Sequence, residues 1–190
     1  MYNISSKFPS ASGAYFLNYY HPKNRKNHNY FSQRLLDFKD RDIQGYYYFY
    51  NLIKRANTNI LKCDVGLRAL GSSETNSKHN IKQPLYKLLK SGLLKNKLIG
   101  HVLNKPITKQ MKNAGGKDNR KQILSNTYTC KSSIKKYSSV LILDDVITTG
   151  TTINEIIRSI KKQVPYMKII IFSLSKTYSS SGRKYSKISN

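Results

Sequence analysis

The chain is predicted to fold as an α/β protein, an open and mainly parallel sheet flanked by helices, and three observations lead there. Val140-Leu141-Ile142-Leu143 is a branched apolar run with the length of a strand buried on both faces, and Ile153–Gln163 behind it reads as a helix. Ile60–Leu67 repeats the pattern, a strand leading through a turn into the helix Ile81–Leu94. Lys168–Leu174 supplies a further strand after the second helix. Strands that alternate with helices build parallel sheets.

The remaining elements follow along the chain. Met1–Asn29 is polar, tyrosine-rich and without periodicity, so loop and extended structure is expected there. Ser32 is the expected cap of a first helix carrying Leu35, Leu36 and Phe38. A second helical stretch, Gln44–Ala56, puts Tyr48, Leu52 and Ile53 on one face, and its tyrosines read as core and boundary residues. Asn57-Thr58-Asn59 breaks the chain before the main sheet. Lys97–Leu103 reads as a second strand and Ser125–Cys130 as a short hairpin strand. Between them Asn104–Asn126 is a long charged connection containing Gly115-Gly116, and long structureless connections are usually functional or disordered. The organisation expected is a helical, hood-like amino-terminal segment over residues 1–56, a core over 57–177, and a disordered Ser- and Lys-rich tail over 178–190.

Composition narrows the class. At 190 residues the chain can bury a real core, although 38% hydrophobic content is lean. No apolar run reaches the length of a membrane span, and Met1–Ser12 lacks the apolar stretch of a secretory signal, so a soluble cytoplasmic protein is the expectation. Cys63 and Cys130 stand far apart with no Cys or His at zinc spacing. Neither a disulfide framework nor a structural metal is expected, and both cysteines read as packed strand residues.

The formal charge of +25, from 34 Lys and Arg against 9 Asp and Glu, has two readings. A basic surface attracts nucleic acid by counterion release, with Tyr15, Tyr19, Tyr20 and Tyr46-Tyr47-Tyr48 available to stack on bases. Against it, the excess is mostly Lys, spread from Lys7 to Lys187, and accompanies abundant Asn, Ile and Tyr with no Trp. That is the composition of a protein encoded by an A- and T-rich genome. The compositional reading is favoured, with weak, non-specific nucleic-acid binding as its by-product and faster encounter with any polyanion.

Two segments carry chemistry. Asp144 and Asp145 end the buried strand, followed by Val146-Ile147-Thr148-Thr149-Gly150-Thr151-Thr152, so the loop sits at the carboxyl end of a strand, where open α/β sheets place ligands. A phosphate there takes backbone N–H groups from the turn and helix N-terminus and hydroxyls from the four threonines, while Gly150 allows close approach. The Asp pair repels phosphate but suits vicinal ribose hydroxyls or Mg²⁺. The pattern is that of a sugar-phosphate site. Arg68-Ala69-Leu70-Gly71-Ser72-Ser73-Glu74 is a second strand end running into a turn, where successive N–H groups and the Arg68 guanidinium suit a phosphate.

Residues 140–152 closely resemble the phosphoribosyl-pyrophosphate (PRPP) motif of type I phosphoribosyltransferases. The resemblance implies that Asp144 and Asp145 hold the ribose hydroxyls and, directly or through ribose and water, the metal Mg²⁺, and that Thr148, Thr149, Gly150, Thr151 and Thr152 hold the 5′-phosphate. It also implies that Arg68, Ala69, Leu70, Gly71, Ser72 and Ser73 bind pyrophosphate. A mobile loop within the long connection would close over the site, with Lys105, Lys109, Lys112, Lys117, Arg120 and Lys121 as its candidate cations and Arg120 as the one carried forward as catalytic. More narrowly, the order of elements and the spacing of Gln110, Arg120 and Tyr128 ahead of the motif resemble the ComF family. The chain departs from that family in lacking the zinc ribbon many members carry, in having Ile123 where an asparagine is expected, and in a Gln110–Arg120 interval about two residues long.

The implied activity is transfer of the phosphoribosyl group of Mg²⁺-bound PRPP to a nitrogen nucleophile with release of pyrophosphate. The acceptor is not readable, because base recognition in this superfamily lies in a variable hood, and a homodimer is compatible with the resemblance. The alternatives are a non-catalytic PRPP-sensing regulator and a DNA-uptake accessory protein that binds nucleic acid.

Overall fold

In chain order the chain forms β1 (Tyr2–Asn3), β2 (Gly13–Tyr20), α1 (Tyr30–Lys39), α2 (Ile43–Arg55), β3 (Cys63–Arg68), α3 (Pro84–Lys90), β4 (Asn96–Ile99), β5 (Leu103–Asn104), β6 (Thr129–Cys130), β7 (Ser139–Ile147), α4 (Thr151–Gln163) and β8 (Lys168–Thr177). The computed structural model describes residues 1–22, 28–71, 74–76, 82–105, 127–178 and 185–188. Six strands form one sheet in the order β1-β2-β8-β7-β3-β4, parallel throughout except for β1 against β2, and β5 pairs with β6 in a separate antiparallel ribbon. This is the α/β architecture expected, a mainly parallel sheet between helices.

The central strands are apolar without interruption because both faces are covered. Side chains alternate across a strand, so Val140 and Ile142 of β7 join Ile153, Ile156, Ile157 and Ile160 of α4 on one face. Leu141 and Leu143 join Leu35 and Phe38 of α1, Phe49 and Ile53 of α2, and Leu88 and Leu89 of α3 on the other. Cys63 and Cys130 are both free and buried, and burial pushes each thiol up to about 11. No helix among the described residues is long and apolar enough to cross a membrane.

Several elements differ from the expectation. The amino-terminal segment read as loop contains β2, which lies inside the sheet and runs parallel to β8 from Gly13 opposite Ile170 to Tyr20 opposite Thr177. Its Ala14 and Phe16 are fully buried on one face, while Tyr15 and Leu17 pack on the other, so no polar alternation marks it. The first helix is capped by Asn29, whose side chain accepts the Ser32 N–H; Ser32 sits one turn inside and donates its hydroxyl to the same oxygen at 2.9 Å. β3 begins at Cys63, after a single 3₁₀ turn at Asn59–Leu61. The expected strand Lys97–Leu103 is broken at Gly100. A Cβ there would meet Leu67 at 2.7 Å and Val65 at 2.8 Å, and beyond it the chain leaves the sheet to form β5. Of the tail expected to be disordered, Ser186 and Ile188 return to the β1 edge, where Ser186 accepts the Asn3 N–H at 3.1 Å and Ile188 donates to the Met1 carbonyl at 2.8 Å.

The sheet's connectivity positions a crevice. The crossover β3-α3-β4 moves outward in one direction and β7-α4-β8 in the other, so strand order reverses between β3 and β7. Open α/β sheets bind ligands outside the carboxyl ends of strands at such a switch point.

Candidate active site

β3 stops at Arg68, opposite Leu143, whereas β7 continues to Ile147 along β8. Asp144 and Asp145 therefore stand on the lip of the sheet, past the end of one neighbour. The Asp145 N–H donates to Asp144 Oδ1 at 2.9 Å and the Val146 N–H to Asp145 Oδ1 at 2.7 Å, which holds both carboxylates close to their own backbone. Burial, and then the adjacent Asp145 charge, raise the Asp144 carboxyl well above the ordinary carboxylate range.

A cavity of about 440 Å³ opens here, and Arg68, Ala69, Leu70, Gly71, Asp144, Asp145 and Thr152 all line it. Two segments more than 70 positions apart in the chain thus share one enclosure. Thr148, Thr149, Gly150 and Thr151 form the adjoining loop outside the lining. Gly150 has φ +85°, and a Cβ on it would come within 2.9 Å of the Phe8 ring, so only glycine suits this turn. Thr149 Oγ1 and Thr151 Oγ1 are 2.9 Å apart, Thr149 Oγ1 also accepts the Thr151 N–H at 3.4 Å, and α4 starts directly after Gly150, which has no side chain to cap the helix. Those amides and hydroxyls are the donors an anion needs at a helix N-terminus. Ser72, Ser73, Arg120, Gly115-Gly116 and the loop cations Lys109, Lys112, Lys117 and Lys121 lie outside the described residues.

Four further side chains make contacts at the site. Lys39, the last residue of α1, pairs with Asp145 at 3.1 Å. Burial alone lowers its ammonium, but Asp145 and Asp144 outweigh this and the net shift is upward. Glu74 takes both terminal nitrogens of Arg68, each at 2.7 Å, and the Gly71 N–H at 2.6 Å. Tyr128 donates to the Leu70 carbonyl at 3.3 Å, and burial, followed by the Asp144 charge, raises its phenol. Lys7 donates to the Thr148 carbonyl at 2.9 Å, and burial with Lys176 nearby holds it down to about 8. Lys105 alone of the loop cations is described. It is 8% exposed, lines the cavity, and is lowered by burial against the pull of Glu74.

A model of the Phosphoribosyl transferase domain matches residues 53–188, well over half of the chain. The chain belongs to the phosphoribosyl transferase domain family. The matched residues run from the end of α2 past β8, so they take in both strand ends and the whole acid-and-threonine loop. No curated protein matches the chain. Lys39 and Lys7 precede the residues matched to the phosphoribosyl transferase domain and come from elements packed against it. A lysine at a helix end carries no motif, which is why sequence reading passed over both.

The acidic pair suits Mg²⁺ in a particular way. Among the described residues no group of three or more His, Cys, Asp or Glu is placed to hold a metal. Two adjacent carboxylates, one disfavoured in its ionised form by burial and then by the other's charge, fit an ion that takes most of its ligands from outside the protein; Mg²⁺ commonly binds through one or two carboxylates plus phosphate oxygens.

Proposed function

We propose that this chain is a phosphoribosyltransferase that binds PRPP with Mg²⁺ and transfers its phosphoribosyl group to a nitrogen nucleophile, releasing pyrophosphate. The observation that carries the reading is the single cavity shared by the Arg68–Gly71 turn, the Asp144–Asp145 pair and Thr152. Those groups match the three parts of the substrate. The turn, Arg68 and Lys105 receive the diphosphate; the acidic pair accepts hydrogen bonds from the ribose hydroxyls; the loop from Thr148 to Thr152 and the α4 N-terminus receive the 5′-phosphate.

The residues act chiefly by position and charge. Arg68 and Lys105 stabilise negative charge that grows on the departing diphosphate, where preorganised cations lower the barrier most. Asp144 and Asp145 fix the ring so that C1, electron-poor as the bond breaks, faces the attacking nitrogen. Asp144 and Asp145 would hold Mg²⁺, which would supply further charge neutralisation for the leaving group. Little proton transfer is required, and the acceptor falls to the part of the cavity lined by Phe38, Lys39, Pro84, Leu85 and Val146. The narrower likeness to the ComF family belongs to the same proposal.

Calorimetric titration with PRPP and Mg²⁺, followed by a pyrophosphate-release assay across purine and pyrimidine bases, tests it. Binding with release is expected. Binding without release favours the second reading, a PRPP-sensing regulator, for which the charge of +25 is the supporting observation. Absence of binding overturns both.

A further inference from the structure

We infer that Glu74 sets the affinity and selectivity of the diphosphate end of this site by occupying, as an internal carboxylate, the contacts that an incoming diphosphate takes. The inference rests on the PRPP reading above. Its basis is geometric. A guanidinium fork and a backbone N–H are the usual partners of a phosphoryl oxygen, and here both are engaged by one carboxylate. Glu74 Oε1 and Oε2 meet the two terminal nitrogens of Arg68, and Oε2 takes the Gly71 N–H besides. The pair is enclosed, with the Arg68 side chain 3% exposed and that of Glu74 11%.

One carboxylate does not exhaust this surface. Lys105 stands in the same cavity, and Arg68 Nε is buried without a hydrogen-bond partner among the described residues. At this end of the cavity Arg68 and Lys105 thus face Glu74, while Asp144 and Asp145 line the rest of it. A diphosphate brings more charge and more acceptor oxygens than a carboxylate, so it can displace Glu74 and engage Lys105 as well. A sugar monophosphate seated at the Thr148–Thr152 loop brings nothing that competes with Glu74. Glu74 therefore leaves the affinity of ligands without the diphosphate unchanged and lowers the apparent affinity of those that have it, by the fraction of molecules in which it is displaced.

The test is titration of the full chain with inorganic pyrophosphate, with PRPP and with ribose 5-phosphate, each with Mg²⁺, on the unaltered protein and on Glu74→Gln and Glu74→Asp. In Glu74→Gln, pyrophosphate and PRPP are expected to bind about tenfold tighter or more, with ribose 5-phosphate unchanged. Glu74→Asp keeps the charge but falls a methylene short of Arg68, and a smaller gain is expected. If the unaltered protein binds PRPP and neither variant binds pyrophosphate more tightly, Glu74 only supports Arg68 and the inference fails while the PRPP reading stands. If none of the proteins binds PRPP, both fail. Should Glu74→Gln not fold because a buried guanidinium has lost its partner, Glu74→Asp decides alone: tighter pyrophosphate binding supports the inference, and equal or weaker binding overturns it.

Discussion

At the residue scale the cavity holds groups in states that cost stability. Asp144 is the clearest case. Its folded carboxyl is raised above its unfolded value, so its favourable contribution is present below about pH 4 and is lost as pH rises through the folded value. Across that window the folded site's preference for the protonated carboxyl opposes folding. Asp144→Asn should raise the melting temperature at pH 7 and remove the part of the stability decline that falls in this window, both measurable by thermal denaturation across pH. Function should move the other way. Asp144→Asn combined with Asp145→Asn should keep the fold by circular dichroism yet weaken PRPP binding at least tenfold, because charge-assisted bonds are worth roughly 1.5–3 kcal/mol each. Unchanged affinity would remove the acidic pair from the site. The pair and the threonines were legible because they are contiguous, so thirteen neighbouring residues announce one loop. Glu74 and Lys39 were not, since their meaning is a partner: Glu74 read as the end of a turn until its carboxylate was seen on Arg68, and Lys39 drew no reading until it was seen on Asp145.

At the scale of elements, legibility followed burial pattern. β7 and α4 were readable, one as a branched apolar run and the other from isoleucines at helical spacing. β2 was not, because a strand packed on both faces and rich in tyrosine shows no alternation, and tyrosine reads equally well as boundary or loop. The first cap was misplaced by one turn because Asn29 and Ser32 are both good cap residues, and only the backbone tells which lies outside the helix. The β7–α4 junction depends on Gly150. With φ at +85° and Phe8 fully buried behind it, an added methyl group meets both backbone strain and a ring that cannot retreat. Gly150→Ala should destabilise the protein by about 1–3 kcal/mol, read as a shift in the urea midpoint, and should weaken binding of any 5′-phosphate ligand by reshaping the loop. An unchanged midpoint with unchanged ribose 5-phosphate affinity would show that the turn tolerates a side chain.

At the scale of the whole molecule, the fold class was legible because strand and helix alternate through the second half of the chain. The return of Ser186 and Ile188 to β1 was not, because pairing between distant backbones leaves no trace in a polar tail. The net charge was legible in amount but not in arrangement. If it reflects composition, binding to a short DNA or RNA should be weak, indifferent to sequence and nearly gone at about 150 mM salt, as fluorescence anisotropy would report. A sub-micromolar, sequence- or structure-selective complex at that salt would place the regulator above the enzyme. The cavity itself stands apart from this excess. Among the described residues it is lined by the cations Lys39, Arg68 and Lys105 and by the acids Glu74, Asp144 and Asp145, three of each sign. In a molecule of charge +25, the pocket is balanced within itself, and Arg68 and Asp145 each already have a counter-ion from the same chain. Uptake of a charged ligand there is an ion exchange, each incoming group releasing an internal partner. Exchange of that kind changes little with ionic strength, whereas a polyanion condensed on scattered surface lysines is lost steeply as salt rises. Salt alone therefore separates occupation of the pocket from adhesion to the surface.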